Sequence, residues 1–181
     1  RALPIGVPKL MVSTMASGDV ERYVGTSDII MMPSIVDVAG LNKISKMIFK
    51  NAVLAMAGMV SCGDKLKADT AEQKPLIAAT MFGVTTPCIE QAKAYLEEKG
   101  YEVMVFHATG TGGKTMEALI DAGFFAGVLD LTTTEYCDEV VGGILAAGPD
   151  RCGAAIRQKV PQVVSVGACD MVNFGEMDSV P

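Results

Sequence analysis

Two kinds of apolar run alternate along the chain: short unbroken stretches, and longer ones with apolar side chains three and four positions apart. Lys9 to Ser13 reads as a short buried strand, stopped by the loop Thr14-Met-Ala-Ser-Gly-Asp19. Asp28 to Met32 reads as a second, closed by Pro33. Leu41, Ile44, Ile48, Ala52, Ala55 and Met59 keep helical spacing and predict one long helix from Leu41 to Val60. Beyond Asn51 that helix is almost wholly apolar, which predicts deep burial of its second half, and Gly63 is a plausible stop.

The most polar interval follows. Asp64 to Lys74 holds three Lys, two Asp and one Glu, and Pro75 comes next. It reads as a linker, 64–75, between the C-terminal part of a first α/β domain (1–63) and a second α/β domain (76–181).

After the linker the pattern is regular. Leu76 to Phe82 is strand-like, and Thr86-Pro87 starts a helix, Thr as N-cap and Pro at the first helical position, that ends near Gly100. Val103 to His107 is the next strand, followed by a glycine turn and a helix from about Lys114 to Ala122. Gly127 to Leu131 is another strand. Thr132-Thr-Thr-Glu135 has the spacing of a capping box and opens a helix through about Gly142. A helix over about Cys152 to Lys159 and a strand from Gln162 to Val166 complete the series. Short apolar strands alternating with helices predict an open, mostly parallel sheet with helices on both faces, Rossmann-like or flavodoxin-like, in two units.

Composition changes this picture little. Half the residues are hydrophobic and a fifth charged, enough to bury a core, with twelve Met and no Trp. The net charge of -6 and the lack of any Lys/Arg run argue against a protein held to nucleic acid by phosphate neutralisation. The five cysteines form no Cys-x-x-Cys pair, so reduced thiols and a cytoplasmic setting are expected rather than a disulfide framework or zinc site. The most apolar stretch, Ala52 to Val60, is too short to span a bilayer, and no signal peptide is visible. The opening Arg-Ala-Leu-Pro suggests a cut from something longer.

In open α/β sheets ligands bind beyond the carboxyl ends of the strands. Here those ends are Ser13-Thr14, Ser34, Gly83 to Thr86, His107 to Gly110, Asp130 to Thr134 and Ser165 to Gly167, nearly all offering hydroxyls or glycine. Such residues let backbone amides approach an anion at a helix start, although they are also ordinary turn and cap residues. Candidate anion contacts are Ser13, Thr14, Thr109, Gly110, Gly112, Gly113, Thr132 and Thr133. The segment Ala108-Thr-Gly-Thr-Gly-Gly-Lys-Thr115 resembles a P-loop, but Ala108 stands where the first glycine belongs and the second acidic strand follows after a single short helix. A simpler phosphate or carboxylate nest at a helix N-terminus is a reasonable alternative.

His107, the only histidine, could serve as general acid or base at a strand end, or simply hydrogen-bond a neighbouring loop. Cys88 falls in a first helical turn, where the dipole can lower a thiol pKa, though a small buried residue is the plainer reading. Asp130 could lie near a magnesium ion held with substrate phosphate, whereas Asp138 and Glu139 read as a solvated helix face.

Several longer runs resemble one family: Leu3-Pro-Ile-Gly-Val-Pro-Lys9, Gly25-Thr-Ser-Asp28, Met81-Phe-Gly-Val-Thr-Thr-Pro-Cys88, Val105-Phe-His-Ala-Thr-Gly110, Leu129-Asp-Leu-Thr-Thr-Thr-Glu135 and Asp170-Met-Val-Asn-Phe-Gly175. These are similar to the Tm-one-like ATP-binding family over practically the whole chain. The resemblance implies a two-domain α/β module with ATP, accompanied by magnesium, as ligand between the domains. In a plant member the module also binds a viral helicase region, so a protein-interaction module is an alternative. An enzyme acting on a small carboxylate or phosphate ester through His107 is another. A homo-oligomer without membrane contact is expected. The family's glycine-rich stretch ahead of the segment matching Leu3 to Lys9 is absent, and family members continue past Gly175, so the chain reads as a central fragment with an incomplete second domain.

Overall fold

The computed structural model describes residues 2–63 and 74–180. The polar interval read as a linker lies almost entirely outside them. The chain divides into two units, Arg1–Glu72 and Gln73–Pro181.

Unit 1 pairs two parallel strands, β1 (Leu10–Ser13) and β2 (Ile30–Pro33), with a short helix α1 (Glu21–Val24) between them and a long helix α2 (Lys43–Gly63) after them. Buried Lys9 clamps the segment ahead of β1: its ammonium lies 2.5 Å from Asp28 and donates to the Pro4 and Val7 carbonyls. Asp28 also accepts from the Gly6 amide, and the Lys9 hydrogen bond, with that amide, holds its carboxyl below the usual range. The expected deep burial of α2 is not what unit 1 provides. Ser45 and Ala52 are buried, but Val53, Leu54 and Val60 are exposed, because two strands cover only one stripe of an all-apolar helix. Among the described residues α2 is also long and apolar enough to cross a membrane by length and composition alone. Its first half carries Lys43, Lys46 and Lys50, so the uninterrupted apolar run remains short.

Unit 2 is an open sheet of four parallel strands in the order β4-β3-β5-β6. These are β3 (Leu76–Met81), β4 (Glu102–His107), β5 (Gly127–Thr132) and β6 (Gln162–Gly167). Alternation along the strands sends side chains to two cores. Ala78, Phe106 and Val128 pack under α4 (Thr111–Asp121) and α6 (Gly153–Gln158), with Met116, Ile120 and Ala154. Ile77, Ala79 and Val103 pack on the other face against Ile89 of α3 (Thr86–Glu98). The expected α/β sheet with helices on both faces is therefore the fold of this unit, and the strands match their expected spans to within a residue or two. A further short helix, α5, covers Glu135–Val141.

Two helix starts differ from expectation. Helix α4 begins at Thr111 rather than near Lys114, so Gly112 and Gly113 lie inside it. The Thr132/Glu135 capping box does not form: Thr134 is the N-cap of α5 and makes no side-chain cap. Thr132 instead turns into the sheet, and Glu135 turns toward α4.

Candidate functional site

Strand order reverses between β3 and β5. The chain leaves β3 for β4 on one side and leaves β5 for β6 on the other, which makes their carboxyl ends the switch point of the sheet. A one-turn 3-10 helix, Gly83–Thr85, leads directly into the thirteen residues of α3 on one side of that switch point. Gly83 and Val84 are exposed there. On the other side stand Thr132 to Thr134, and the Thr85 and Thr132 hydroxyls meet at 2.7 Å, joining the two sides. The Thr132 hydroxyl also lies within 3.0 Å of the Thr80 carbonyl and its amide donates to Thr80 Oγ1. Thr133 donates to the Ser165 carbonyl at 2.7 Å. Both threonines are thus spent on internal bonds.

The neighbouring turn after β4 holds His107, exposed, with its ring 5.5 Å from that of Phe82. Thr109 is half-buried beside it, while Thr111 and Lys114 are exposed. The inner side of this turn is occupied by the protein itself. Glu135, fully buried, accepts from the Gly110 amide at 2.6 Å and the Gly113 amide at 3.2 Å. The glycine spacing follows from that embrace. A Cβ on Gly113 would sit 2.4 Å from Glu135 Oε2, one on Gly112 only 1.8 Å from the His107 carbonyl, and Gly110 has φ +78° with a Cβ position 2.9 Å from the Ala146 carbonyl. A carboxylate nest was among the sequence expectations; its carboxylate comes from within the chain, so an external anion on these amides would have to displace Glu135.

Glu135 is itself held by Arg151, whose Nε donates to Oε2 at 2.7 Å. The guanidinium reaches Asp130 with both terminal nitrogens, at 2.5 and 2.6 Å, and Glu117 at 3.2 Å. Glu117 in turn accepts from the Cys152 and Ala154 amides, capping the start of α6. Burial pushes the Glu135 pKa up against the opposing pull of Arg151 and the two glycine amides. For Arg151, burial alone would lower the pKa, but Asp130 and then Glu135 outweigh it and leave it raised. Burial and the Asp130 charge push the Cys152 thiol up to about 12, so that cysteine is held as a neutral thiol.

Asp130, expected beside magnesium, is fully buried and also accepts from Thr80, Gln162 and Cys152. Its oxygens are committed to these donors and do not fit a metal ligand here. Among the described residues no group of three or more His, Cys, Asp or Glu is arranged around a cation. Asp138 corrects a second expectation: it is buried rather than solvated, and accepts from the Leu145 amide and from both amide groups of Asn173. Its neighbour Glu139 is exposed. Cys88 lies in the first turn of α3 and is exposed. Ser13 and Thr14 belong to unit 1, where Ser13 ends β1 and caps the turn Thr14–Ser17 by accepting from the Met15 amide.

Sequence reasoning missed Arg151, Glu117 and the inward role of Glu135. Arg151 sits in an irregular segment with no period to mark it, and the spacing of Glu135 imitates a cap. One buried group remains unsatisfied: the Thr134 hydroxyl has no hydrogen-bond partner among the described residues. Thr134→Val keeps the shape and removes the desolvated hydroxyl, so it is expected to raise stability by about 1 kcal/mol, read from the urea midpoint.

The chain is 58% identical to a UPF0261 protein of Clostridium tetani and 54% identical to one of Mesorhizobium japonicum, in each case over all of this chain and 44% of the relative. It is 50% identical, again over its whole length, to 24% of the ToMV resistance protein Tm-1 of Solanum lycopersicum. It therefore spans less than half the length of these relatives. Residues 1–65 match the N-terminal domain and residues 74–181 the C-terminal domain of an uncharacterised protein family, UPF0261, and the chain belongs to that family.

Proposed function

We propose that unit 2 binds the phosphate groups of a nucleotide, ATP in the first instance, at the switch point between β3 and β5. The observation that carries this reading is the position of the turn Gly83–Thr85. It lies where the strand order reverses and runs into the start of a thirteen-residue helix, whose dipole favours an anion. The adjacent turn supports it from outside with exposed His107, Thr111 and Lys114. Its inner amides are not needed, since Glu135 already fills them. The resemblance to an ATP-binding family supplies the choice of nucleotide, and magnesium would enter on the nucleotide's own phosphates, since the oxygens of Asp130 are committed to protein donors.

Calorimetric titration with ATP, with and without magnesium, tests this. Heat of binding is expected from the chain as it stands. Val84→Asp puts a carboxylate on an exposed position of the turn without touching Gly83, whose φ of +27° disfavours any side chain. It should weaken binding by about tenfold or more through charge repulsion and a blocked approach to the amides, while leaving the circular dichroism spectrum unchanged. No heat from the unaltered chain under either condition, or full affinity in Val84→Asp, overturns the assignment.

A further inference from the structure

Five cysteines are free thiols, and they differ sharply in surroundings. Cys62 and Cys88 are exposed, and Cys152 is turned onto Asp130. Cys137 and Cys169 are half-buried and meet each other. Cys137, on α5, directs its Sγ at the Cys169 carbonyl, 3.3 Å away. Cys169 follows β6 through Ala168, whose φ of +57° turns the backbone, and its amide donates back to the Val166 carbonyl. This reverse turn carries the Cys169 Sγ to 3.2 Å from the Thr133 hydroxyl, four residues ahead of Cys137. Both thiols line a cavity of about 470 Å³ whose other walls include Val140, Val141 and Met171. The cavity admits a small oxidant.

We propose that Cys137 and Cys169 are a disulfide-forming pair, a modification site that closes when the protein meets hydrogen peroxide. One thiolate attacks a peroxide oxygen, breaking the O–O bond, and becomes a sulfenic acid as hydroxide leaves. The second thiolate attacks that sulfur and expels a second hydroxide, which takes up a proton as the first does. Two thiols and one peroxide give one disulfide and two waters: both sulfurs are oxidised by one electron each and the peroxide is reduced by two. The bond needs the sulfurs to close to about 2.05 Å. Once formed, it ties α5 to the segment after β6 across 32 residues of chain. The other thiols have no such partner: exposed Cys62 and Cys88 are open to adducts, and Cys152 is blocked by its hydrogen bond to Asp130.

The test is a stoichiometric peroxide treatment of the chain carrying Cys62→Ser and Cys88→Ser, followed by alkylation and non-reducing peptide mapping. A cross-linked peptide joining Cys137 to Cys169 is expected, with one alkylatable thiol, Cys152, left, and reductant restores the other two. The unsubstituted chain serves as a second sample and should give the same cross-link. Alkylation of all three thiols after treatment, sulfinic acid at either cysteine without a cross-link, or a cross-link through Cys152 overturns the proposal.

Discussion

Arg151→Met is expected to cost unit 2 about 3–5 kcal/mol, the range for removing one partner of a buried ion pair. Methionine fills much of the space and satisfies packing, but it abandons Asp130 and Glu135, both fully buried, together with Glu117 at the edge of the cluster. The loss should depend on pH in a definite sense. Glu135 already has a raised pKa in the folded chain, so the stability associated with it is fully present below its ordinary value and falls away as pH rises through the folded value. Removing Arg151 takes away the chief influence opposing that rise, so the folded value climbs further. The deficit of Arg151→Met relative to the parent should accordingly be smaller at pH 5 than at pH 8 in urea unfolding. Asp130→Asn combined with Arg151→Met should recover part of the loss, because a neutral amide is cheaper to bury than an unpaired carboxylate. A deficit independent of pH, or strictly additive in the double variant, contradicts an ionic role for Arg151.

The sheet of unit 2 is legible in the sequence because each strand is a short apolar run bounded by turn residues. Leu76 to Met81 and Gly127 to Thr132 need no tertiary information to be found. The rim of the site is legible for the same reason, since a parallel sheet sends every strand's carboxyl end to one edge. What the residues at that rim do is not legible. The side chains of Thr132, Glu135 and Asp138 all belong to one polar-looking stretch, yet Thr132 serves β3, Glu135 serves the start of α4, and Asp138 serves Asn173. Each choice depends on a partner 25 or more residues away. Local spacing therefore suggested a cap and a solvated face where the fold builds buried carboxylates. Arg151 is the extreme case: only the three-dimensional convergence of α4, β5 and α5 reveals why a cation belongs in that irregular segment. Helix α2 shows the opposite failure. Its apolar period was correct, but burial depends on how much sheet is present to cover it, and β1 and β2 cover one stripe.

Gly112→Ala is expected to be among the most damaging single-methyl changes in unit 2, at about 3 kcal/mol, the upper part of the range for overpacking a well-filled site. Helix propensity alone predicts the reverse, a gain of about 1 kcal/mol for replacing a helical glycine by alanine. Steric contact decides, because the added carbon would lie 1.8 Å from the His107 carbonyl oxygen and 2.8 Å from its carbon. The obstacle is backbone at the end of β4, which cannot rotate aside as a side chain could. Relief requires the first turn of α4 to lift from the strand, and the Gly110 and Gly113 amides would then leave Glu135. The buried carboxylate would lose two of its donors and lean wholly on Arg151. Gly113→Ala provides the comparison. Its Cβ meets the Glu135 carboxylate at 2.4 Å rather than backbone, so shortening that side chain with Glu135→Ala should cancel much of its steric penalty and make the pair less than additive. Gly112→Ala should gain nothing from the same second change, since its clash is with His107. Urea midpoints of the five single and double variants separate these outcomes. A Gly112→Ala chain as stable as the parent would mean that α4 does not begin against β4 at all.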